Sequence, residues 1–372
     1  MIIGLPKEIK NNENRVGLTP GGVNELVSNG HSVIVEKHAG DGSGFTDREY
    51  LEAGAKVVDT SKEVFEISDI IVKVKEPLVQ EYDLLKQGQK LFTYLHLAPN
   101  AELTKVLLKK EITAIAYETV QLEDRSLPLL LPMSEVAGKM AVQIGADMLQ
   151  KYRGGMGIIL GGVSGVAPAE VVIVGGGIVG TNAAKVALGM GARVTVLDIS
   201  KNRLVYLDDI FGGKVTTLIC NNNNITEMTK KADLLIGAVL VAGASAPKIV
   251  KESMVKNMKK GSVIVDVAID QGGSIETIDR VTTHDNPCYE KHGVMHYSVA
   301  NMPGAVPRTA TIALESATLP YLLKLVNNGV EKALAEDPAL LKGLNTYKGK
   351  VTCLPVASSL NIQYTDAKTL LK

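Results

Sequence analysis

The sequence has few aromatic residues, few cysteines and no excess of charge of either sign. Tryptophan is absent and phenylalanine occurs four times, so we expect no platform of aromatic side chains for stacking nucleic-acid bases. Forty Lys and Arg residues balance forty Asp and Glu residues, which argues against a nucleic-acid-binding surface. The three cysteines, Cys220, Cys288 and Cys353, are widely separated and predict neither a disulfide framework nor a zinc site. We therefore expect no nucleic-acid partner and no bound metal.

The sequence also lacks a long apolar run and an N-terminal targeting signal. Its longest charge-free stretch, Gly154 to Ala169, is shorter than a membrane span and is interrupted by glycines. Residues 1–8 do not show the basic stretch and apolar segment of a secretory signal peptide. These absences predict a cytoplasmic protein that does not bind a membrane. The 372 residues are 45% hydrophobic, which predicts about two globular domains with aliphatic cores.

Runs of residues typical of β-strands alternate along the chain with helical patterns of about ten residues. Strands expected before the glycine-rich stretch 154–168 are Ser32–Val35, Lys56–Val58, Ile70–Lys75, Leu91–His96 and Thr113–Tyr117. Strands expected after it are Val171–Val174, Arg193–Leu197, Val215–Ile219, Leu234–Ala238 and Ser262–Val267. This alternation predicts an α/β fold with parallel sheets on both sides of the glycine-rich stretch.

Two helices are expected at the ends of the second strand series. Ser134 is a plausible N-cap for a long helix that continues towards Tyr152. The segment Gly304–Leu334 has a helical pattern, although Pro320 should kink or break the helix. Residues 348–372 are weakly patterned and support no firm assignment.

Gly175, Gly177 and Gly180 form a G-x-G-x-x-G sequence between a buried strand and a helix. In this context the first glycine permits a tight turn, the second lets the backbone approach a pyrophosphate, and the third allows close helix–strand packing. The next strand ends before Asp198, whose carboxylate can accept both ribose hydroxyls and would repel a 2′-phosphate. The motif therefore predicts a dinucleotide-binding domain that takes NAD rather than NADP. Arg203 counts against this choice of NAD, since a basic residue shortly after the strand would suit the 2′-phosphate of NADP.

Ligands of parallel α/β sheets bind at the carboxyl ends of the strands, so residues that follow strands are candidates for chemistry. Lys75, His96, Asp270 and Asn301 occupy such positions, and Arg15 lies in the loop before the first helix. Together they offer a carboxylate-binding cation, a cationic hydrogen-bond donor, a general acid or base with a pKa near neutrality, and a second carboxylate.

Each of these candidates also has a purely structural interpretation. Lys73 points to the same side of the strand as Lys75 and would replace it if the strand register differed. Arg15 lies in a charged stretch that would ordinarily face solvent, and Asp270 could be a turn or capping residue. A histidine after a strand often serves only the core, and five other histidines compete with His96: His31, His38, His284, His292 and His296.

Several longer stretches carry a resemblance to a known family. They are Gly4–Glu8, Glu13–Val16, Lys73–Pro77, Met133–Gly138, Val174–Gly180, Tyr206–Asp209, Ile236–Leu240, Asp266–Gly273 and Asn301–Thr309. On these stretches the chain resembles the alanine dehydrogenase/pyridine nucleotide transhydrogenase family over nearly its whole length. The resemblance implies oxidative deamination of L-alanine to pyruvate and ammonia with reduction of NAD, and the reverse amination.

The resemblance also assigns roles to individual residues. It makes Arg15 the ligand of the substrate carboxylate, Lys75 a hydrogen-bond donor to the substrate, and His96 and Asp270 the catalytic acid/base pair; Asn301 is a further substrate-binding candidate. Cys220 stands where relatives usually carry serine on the adenine side, which weakens that contact because a thiol is a poor hydrogen-bond donor. The positions expected to contact NAD are Ser134, Gly175, Gly177, Ile178, Val179, Gly180, Asp198, Arg203, Cys220, Val239, Leu240, Val267, Ala268, Ile269, Asp270, Arg280, Val299, Ala300, Asn301 and Met302.

Domain organisation and assembly follow from the same resemblance. It implies a discontinuous substrate domain, residues 1–130 and 305–372, with a Rossmann NAD-binding domain inserted at residues 131–304, and a homohexameric assembly. Three other functions stay open: a transhydrogenase subunit that exchanges hydride between nucleotides, a dehydrogenase for another amino acid, and an NAD-sensing protein with an inactive site.

Overall fold

The computed structural model describes residues 1–239 and 246–371. The chain divides into two compact units. The first unit combines Met1–Met133 with Val306–Lys372, and the second is Ser134–Ala305. No helix among the described residues has both the length and the apolar character needed to cross a membrane.

The first segment of the chain alternates short strands and helices. Its strands are β1 (Ile2–Leu5), β2 (Ser32–Glu36), β3 (Lys56–Val58), β4 (Ile70–Val72), β5 (Lys90–Thr93) and β6 (Thr113–Ala116). Its helices are α1 (Pro20–Ser28), α2 (Asp47–Glu52), α3 (Ser61–Ile67), α4 (Val79–Tyr82) and α5 (Ala101–Lys109), and a 3-10 turn, Tyr117–Thr119, follows β6. Thr46 and Thr60 explain why α2 and α3 begin where they do, because each forms a reciprocal capping box with a glutamate three residues later.

The middle of the chain forms a second α/β series after the long helix α6 (Leu131–Met148). Its strands are β7 (Glu170–Val174), β8 (Arg193–Asp198), β9 (Val215–Ile219), β10 (Leu234–Gly237), β11 (Val263–Asp266), β12 (Cys288–Lys291) and β13 (Val294–Tyr297). Its helices are α7 (Ile178–Gly189), α8 (Lys201–Phe211), α9 (Asn222–Lys231) and α10 (Glu252–Val255), with 3-10 turns at Val267–Gln271 and Met302–Ala305.

The last segment returns to the first unit. It contains α11 (Pro307–Asn328), α12 (Val330–Glu336), α13 (Pro338–Gly343), β14 (Leu344–Tyr347), β15 (Lys350–Val351), α14 (Leu354–Leu360) and α15 (Ala367–Leu370). In the described part of the first unit the sheet order is β15-β14-β6-β5-β4-β1-β2-β3. The strands from β6 to β3 in this order are parallel, whereas β14 pairs antiparallel with both β6 and β15. Leu314 and Leu322 of α11 join the same buried cluster as Leu5 of β1 and Leu18, so both chain segments build one core.

The sheet of the second unit has the order β12-β13-β11-β10-β7-β8-β9 in its described part. All neighbouring pairs are parallel except the antiparallel hairpin β12–β13. The chain runs outward from β7 to β9 and then crosses over to β10 on the other side of β7. Such a reversal of strand order creates the crevice at which doubly wound sheets bind their ligands.

Two predictions about helices differ from the structure. Ser134 is not an N-cap, because α6 begins at Leu131 and already includes it. Pro320 does not break α11, which runs unbroken from Pro307 to Asn328. Buried leucines on both sides of the proline, such as Leu314 and Leu322, attach both halves of the helix to the core.

The strands expected to run through Lys75 and His96 end three residues earlier, at Val72 and Thr93. The physical reason is a change of hydrogen-bond acceptor. The N–H groups of Val74 and Lys75 donate to the carboxylate of Glu8 instead of to a neighbouring strand. The N–H groups of Leu95 and His96 likewise donate to Glu118. Both candidate residues therefore lie in loops just beyond the sheet.

Candidate active site

Arg15 is buried in the first unit and forms a close ion pair with Glu13. Its Nε donates to Glu13 Oε1 at 2.7 Å and its Nη2 donates to Glu13 Oε2 at 2.5 Å. The arginine side chain is only 2% exposed, and its Nη1 contacts Met133 Sδ at 3.1 Å. Burial by itself would lower the pKa of the guanidinium, but the hydrogen bond and charge of Glu13 raise that pKa above its usual value. The solvent-facing interpretation of Arg15 is therefore wrong, and its cation is held in one orientation.

Lys75 and Lys73 have different environments. The Nζ of Lys73 is fully buried, donates to Glu81 Oε1 at 2.8 Å and lies 3.2 Å from Glu8 Oε2. Burial lowers the pKa of Lys75, and the positive charge of Arg15 lowers it further. Lys73 is thus engaged in a structural ion network, whereas Lys75 is a cation of reduced basicity close to Arg15.

His96 is exposed and adopts a left-handed backbone conformation with φ 47°. Its imidazole ring lies parallel to the ring of Tyr94, with 6.0 Å between the centroids. Tyr94 is itself fixed, since its hydroxyl donates to the carbonyl of Leu129 at 2.7 Å. Burial raises the pKa of the Tyr94 phenol, which therefore stays protonated near neutral pH. The positive charge of Arg15 acts on the pKa of both Lys75 and Tyr94, and the N–H of Tyr94 donates to the carbonyl of Val74 at 3.3 Å, so the first unit groups Arg15, Lys75 and the Tyr94–His96 pair in one region.

Four of the competing histidines have partners that explain them structurally. His296 is fully buried, with Nε2 at 2.8 Å from Thr277 Oγ1 and Nδ1 at 2.9 Å from the carbonyl of Val294. Burial lowers the pKa of His296 to about 4, so this side chain is neutral at physiological pH. The other three contact polar side chains: His31 contacts Asn327, His38 contacts Asp41, and His292 contacts Glu252. The Nε2 of His284 is buried and has no hydrogen-bond partner in the described part of the chain.

The glycine-rich loop of the second unit has the geometry of a phosphate-binding turn. Gly175 has φ 104°, a conformation that side chains rarely adopt. A Cβ on Gly180 would lie 1.9 Å from the carbonyl oxygen of Gly175, so only glycine fits there. A Cβ on Gly177 would instead meet no atom within 4 Å. The space in front of Gly177 and the N-terminus of α7, which begins at Ile178, provide room and backbone N–H groups for a pyrophosphate.

Asp198 and Arg203 both contact this loop. Asp198 accepts from the N–H of Gly176 at 2.7 Å through Oδ2, and from the N–H of Ser200 at 2.8 Å through Oδ1. Arg203 donates from Nε to the carbonyl of Gly176 at 2.5 Å and from Nη2 to Thr181 Oγ1 at 2.5 Å. The guanidinium that would suit a 2′-phosphate is thus engaged in holding the glycine-rich loop.

The remaining predicted nucleotide contacts of the second unit are distributed over several elements. Cys220 follows β9 and donates its backbone N–H to the carbonyl of Asp198 at 2.9 Å. Burial raises the pKa of the Cys220 thiol, and Asp198 raises it further. Ser134 lies in α6, Ile178 and Val179 in α7, Val239 after β10, Val267, Ala268, Ile269 and Asp270 in the 3-10 turn after β11, Arg280 before β12, and Val299, Ala300, Asn301 and Met302 after β13. Leu240 lies outside the described residues.

The structure also identifies residues that the sequence reasoning missed. Glu13 holds Arg15, Glu8 accepts from the backbone of Lys75, and Glu118 accepts from the backbone of His96. The alternating Glu13-Asn14-Arg15 sequence could have revealed the first pair. Glu8 and Glu118 are far from their partners in sequence, and no local pattern connects them.

A surface cluster of possible metal ligands lies elsewhere in the first unit. Among the described residues, ligand atoms of His38, Asp41 and Asp47 lie within 4.8 Å of one another. His38 Nδ1 is 2.9 Å from Asp41 Oδ2, and the His38 N–H donates to Asp47 Oδ1 at 2.8 Å. These mutual contacts account for the cluster, and we assign no ion to it.

Family models match both parts of the chain. The alanine dehydrogenase/PNT N-terminal domain matches residues 4–137, and the alanine dehydrogenase/PNT C-terminal domain matches residues 141–354. The chain belongs to the alanine dehydrogenase/PNT family. The resemblance found in the sequence motifs is therefore confirmed.

Individual members of the family are similar over their full length. A protein named alanine dehydrogenase from Methanococcus maripaludis is 65% identical over 371 residues, which is 100% of each chain. A solved structure named L-alanine dehydrogenase is 54% identical with a TM-score of 0.94, and the match covers 97% of this chain and 99% of that one. A solved transhydrogenase from Sinorhizobium meliloti is 26% identical with a TM-score of 0.81, covering 94% and 100%. These likenesses confirm the predicted fold class of two α/β domains.

Proposed function

We propose that this protein catalyses the NAD-dependent oxidative deamination of L-alanine to pyruvate and ammonia, and the reverse reductive amination. The observation that carries the proposal is the grouping of Arg15, Lys75 and His96 in the first unit. A buried cation, a lysine of lowered pKa and an exposed histidine are the groups that binding and proton transfer on a small amino acid require. Full-length similarity to proteins named alanine dehydrogenase supports alanine as the substrate.

A pyridine nucleotide fits the second unit, and we propose NAD in particular. The space in front of Gly177 and the N-terminus of α7 suit the pyrophosphate. The carboxylate of Asp198 suits the ribose hydroxyls and opposes a 2′-phosphate, while Arg203 is engaged with the loop. When bound, NAD would accept the hydride, a proton with two electrons, that leaves the alanine Cα. We also propose that the other predicted nucleotide contacts, including Ser134, Cys220 and Arg280, serve this cofactor.

Substrate binding is assigned to two cations of the first unit. Arg15 neutralises the alanine carboxylate, and Glu13 keeps its guanidinium in a fixed plane. After oxidation, water adds an oxygen to the alanine Cα, and Lys75 donates a hydrogen bond to that oxygen. Its lowered pKa makes the ammonium a stronger proton donor than an exposed lysine. Asn301 is a further proposed substrate-binding residue.

Proton transfer is assigned to His96. Oxidation leaves an iminium carbon, and an imidazole nitrogen of His96 takes a proton from the water that attacks it. The same nitrogen then returns the proton to the amine of the carbinolamine. The C–N bond breaks, ammonia leaves, and the hydroxyl gives its proton to the freed imidazole as the pyruvate carbonyl forms. Asp270 either holds the substrate ammonium or assists this transfer.

A spectrophotometric assay of NADH formation tests the proposal. Alanine, glycine, serine and lysine are offered with NAD and then with NADP, and alanine with NAD should give by far the highest turnover. Activity with lysine alone would refute the proposed substrate.

The His96→Ala variant tests the proposed proton transfer. Turnover should fall by about 10²–10⁴-fold, as expected for loss of a general acid/base. Binding of NADH, followed by fluorescence, should be unchanged because His96 lies in the first unit and the glycine-rich loop in the second. A variant with the wild-type rate would remove His96 from the mechanism.

A transhydrogenase function is the second candidate, favoured by the likeness to the Sinorhizobium meliloti protein. It predicts transfer of hydrogen between two nucleotides in the absence of any amino acid. The lower identity of that match, 26% against 54% for the L-alanine dehydrogenase structure, makes it the weaker candidate. An assay with NADH and an oxidised nucleotide analogue separates the two functions.

We further propose a cytoplasmic homohexamer, as the family resemblance implies. Size-exclusion chromatography with light scattering measures the assembly directly. A mass of one or two subunits would contradict the hexamer.

A further inference from the structure

The backbone at His96 is held by a carboxylate from the turn that follows β6. Glu118 Oε1 accepts from the His96 N–H at 2.7 Å, and both oxygens of Glu118 lie 3.2 Å from the Leu95 N–H. Bonds from N–H groups to an ionised carboxylate are stronger than those to a neutral carbonyl. They occur where His96 has φ 47°, a conformation that a residue with a side chain adopts only when its surroundings impose it.

Glu118 follows a buried strand of the sheet. It lies in the 3-10 turn Tyr117–Thr119, directly after β6, and β6 pairs in parallel with β5 up to the Thr93–Ala116 register. The preceding Tyr117 is fully buried, and its ring packs edge-to-face against Tyr94 at 5.1 Å. The carboxylate therefore lies just beyond β6, and His96 lies three residues beyond the end of the neighbouring strand β5.

Two features determine the orientation of the His96 imidazole ring. One is the left-handed backbone that Glu118 holds, and the other is the parallel ring of Tyr94, two residues earlier in the chain. Without Glu118, the buried N–H of Leu95 would lose its acceptor and the loop could return to a more common conformation. Such a change would redirect the His96 side chain.

We propose that Glu118 is a positioning residue for the alanine reaction, acting through His96 by fixing its backbone in the left-handed conformation. The inference rests on the proposed function, in which His96 transfers the proton. Glu118 is assigned no contact with substrate or cofactor.

Two substitutions at one position separate this role from general stability. Glu118→Leu removes both acceptor oxygens, so kcat for alanine should fall about 10–100-fold, as general acid/base catalysis is sensitive to geometry. Glu118→Gln keeps one carbonyl oxygen that can accept the same N–H groups, so its kcat should stay within about fivefold of wild type. For both variants KM for NADH should be unchanged. Glu123→Gln, on the exposed surface of the same unit, is the matched control and should behave as wild type.

Three results would overturn the positioning role. The first is wild-type kcat in Glu118→Leu. The second is an equal loss of kcat in Glu118→Gln and Glu118→Leu, which would show that the charge of Glu118 matters and its hydrogen bonds do not. A parallel loss of thermal stability and of NADH binding in Glu118→Leu would indicate a purely structural role and would also overturn it.

Hydrogen exchange distinguishes failure of this inference from failure of the proposed function. Mass spectrometry of the segment containing Leu95 and His96 should show faster amide exchange in Glu118→Leu than in wild type or Glu118→Gln. If wild-type protein shows no alanine-dependent NADH formation, the proposed function fails whatever the exchange shows. If wild type is active and exchange is unchanged in Glu118→Leu, only the role of Glu118 fails.

Discussion

The first unit surrounds its buried carboxylates with cations, whereas the second surrounds its most buried described carboxylate with backbone N–H groups. In the first unit Glu13 pairs with Arg15, and Lys73 lies between Glu8 and Glu81 with its Nζ fully buried. In the second unit Asp266 is fully buried and accepts from the N–H groups of Ala268, Ser274 and Ile275 and from the Ser274 hydroxyl.

This difference shows two ways of holding a binding site. In the first unit, paired charges fix the side chain of Arg15 and the backbone of Lys75, so removing one charge leaves another buried without its partner. In the second unit, glycines and backbone groups shape the loop, so adding one carbon is the damaging change. The first unit should therefore respond most to charge deletion and the second to added volume.

Lys73→Met tests the charge network of the first unit and should have the largest effect. It leaves Glu8 and Glu81 buried without a cation, which should lower the free energy of unfolding by about 3–5 kcal/mol. Urea unfolding followed by circular dichroism measures the change. Lys37→Met is the matched control: Lys37 is exposed, its Nζ is 3.6 Å from Asp59, and its loss should cost about 0.5 kcal/mol or less. Similar losses in the two variants would contradict the comparison.

His296 is a buried side chain of the second unit that is neutral near pH 7 and gives a test by pH. Its pKa is about 4 in the folded protein, below the value of about 6.5 in an unfolded chain. Between these two values the unfolded chain binds a proton and the folded chain does not. Stability should therefore fall as the pH is lowered from about 6.5 to about 4, by about 3 kcal/mol from this residue.

The His296→Gln variant isolates this contribution. Its unfolding free energy should be lower than that of wild type at pH 7, because the packing of the ring on Tyr289 is lost. The difference should shrink as the pH approaches 4. Parallel pH curves for the two proteins would show that His296 does not titrate as its burial implies.

Gly180→Ala tests the response of the second unit to added volume. The new Cβ would lie 1.9 Å from the Gly175 carbonyl oxygen, so the loop must shift at a cost of about 1–3 kcal/mol. We expect the dissociation constant of NADH to rise about tenfold or more, measured by fluorescence titration. Gly189→Ala, at the other end of α7, meets no atom within 4 Å and should leave NADH binding unchanged. Unaltered NADH binding in Gly180→Ala would contradict the expected sensitivity of the second unit to added volume.

Asp198→Ala should have the smallest effect, since it removes one of several nucleotide contacts. Loss of the ribose acceptor should weaken NAD binding by about tenfold and narrow the gap between NAD and NADP. The ratio of kcat/KM for the two nucleotides is the measurement. An unchanged ratio would reject the ribose role of Asp198 and leave the selectivity to the engagement of Arg203 with Thr181.

The sequence predicted best those features that depend on neighbouring residues. The strand Val171–Val174, the glycine turn and the carboxylate of Asp198 follow one another within a single βαβ unit, and the structure places them as predicted from that pattern. The strand Lys56–Val58 matches its predicted bounds as well. Local composition is sufficient where the hydrogen-bond partners are also local.

Features that depend on residues distant in the chain were harder to predict from the sequence. The pairing of β14 with β6 joins residues more than two hundred positions apart, and no strand was predicted at β14. Lys75 and His96 were placed at strand tips because nothing in the sequence indicates that Glu8 and Glu118 take over their backbone hydrogen bonds. The choice between Lys73 and Lys75 likewise depends on which lysine has the buried acids as neighbours.

The first unit draws its core from both ends of the chain, and this has a consequence for biosynthesis. Residues 134–305 emerge from the ribosome as a whole unit before α11 and β14 are translated. Until then the nascent N-terminal segment exposes the apolar faces that Leu314 and Leu322 later cover, and the edge of β6 has no partner. We therefore expect chaperones that bind newly made chains to bind the N-terminal part of the first unit, Met1–Met133, until the C-terminal segment is made.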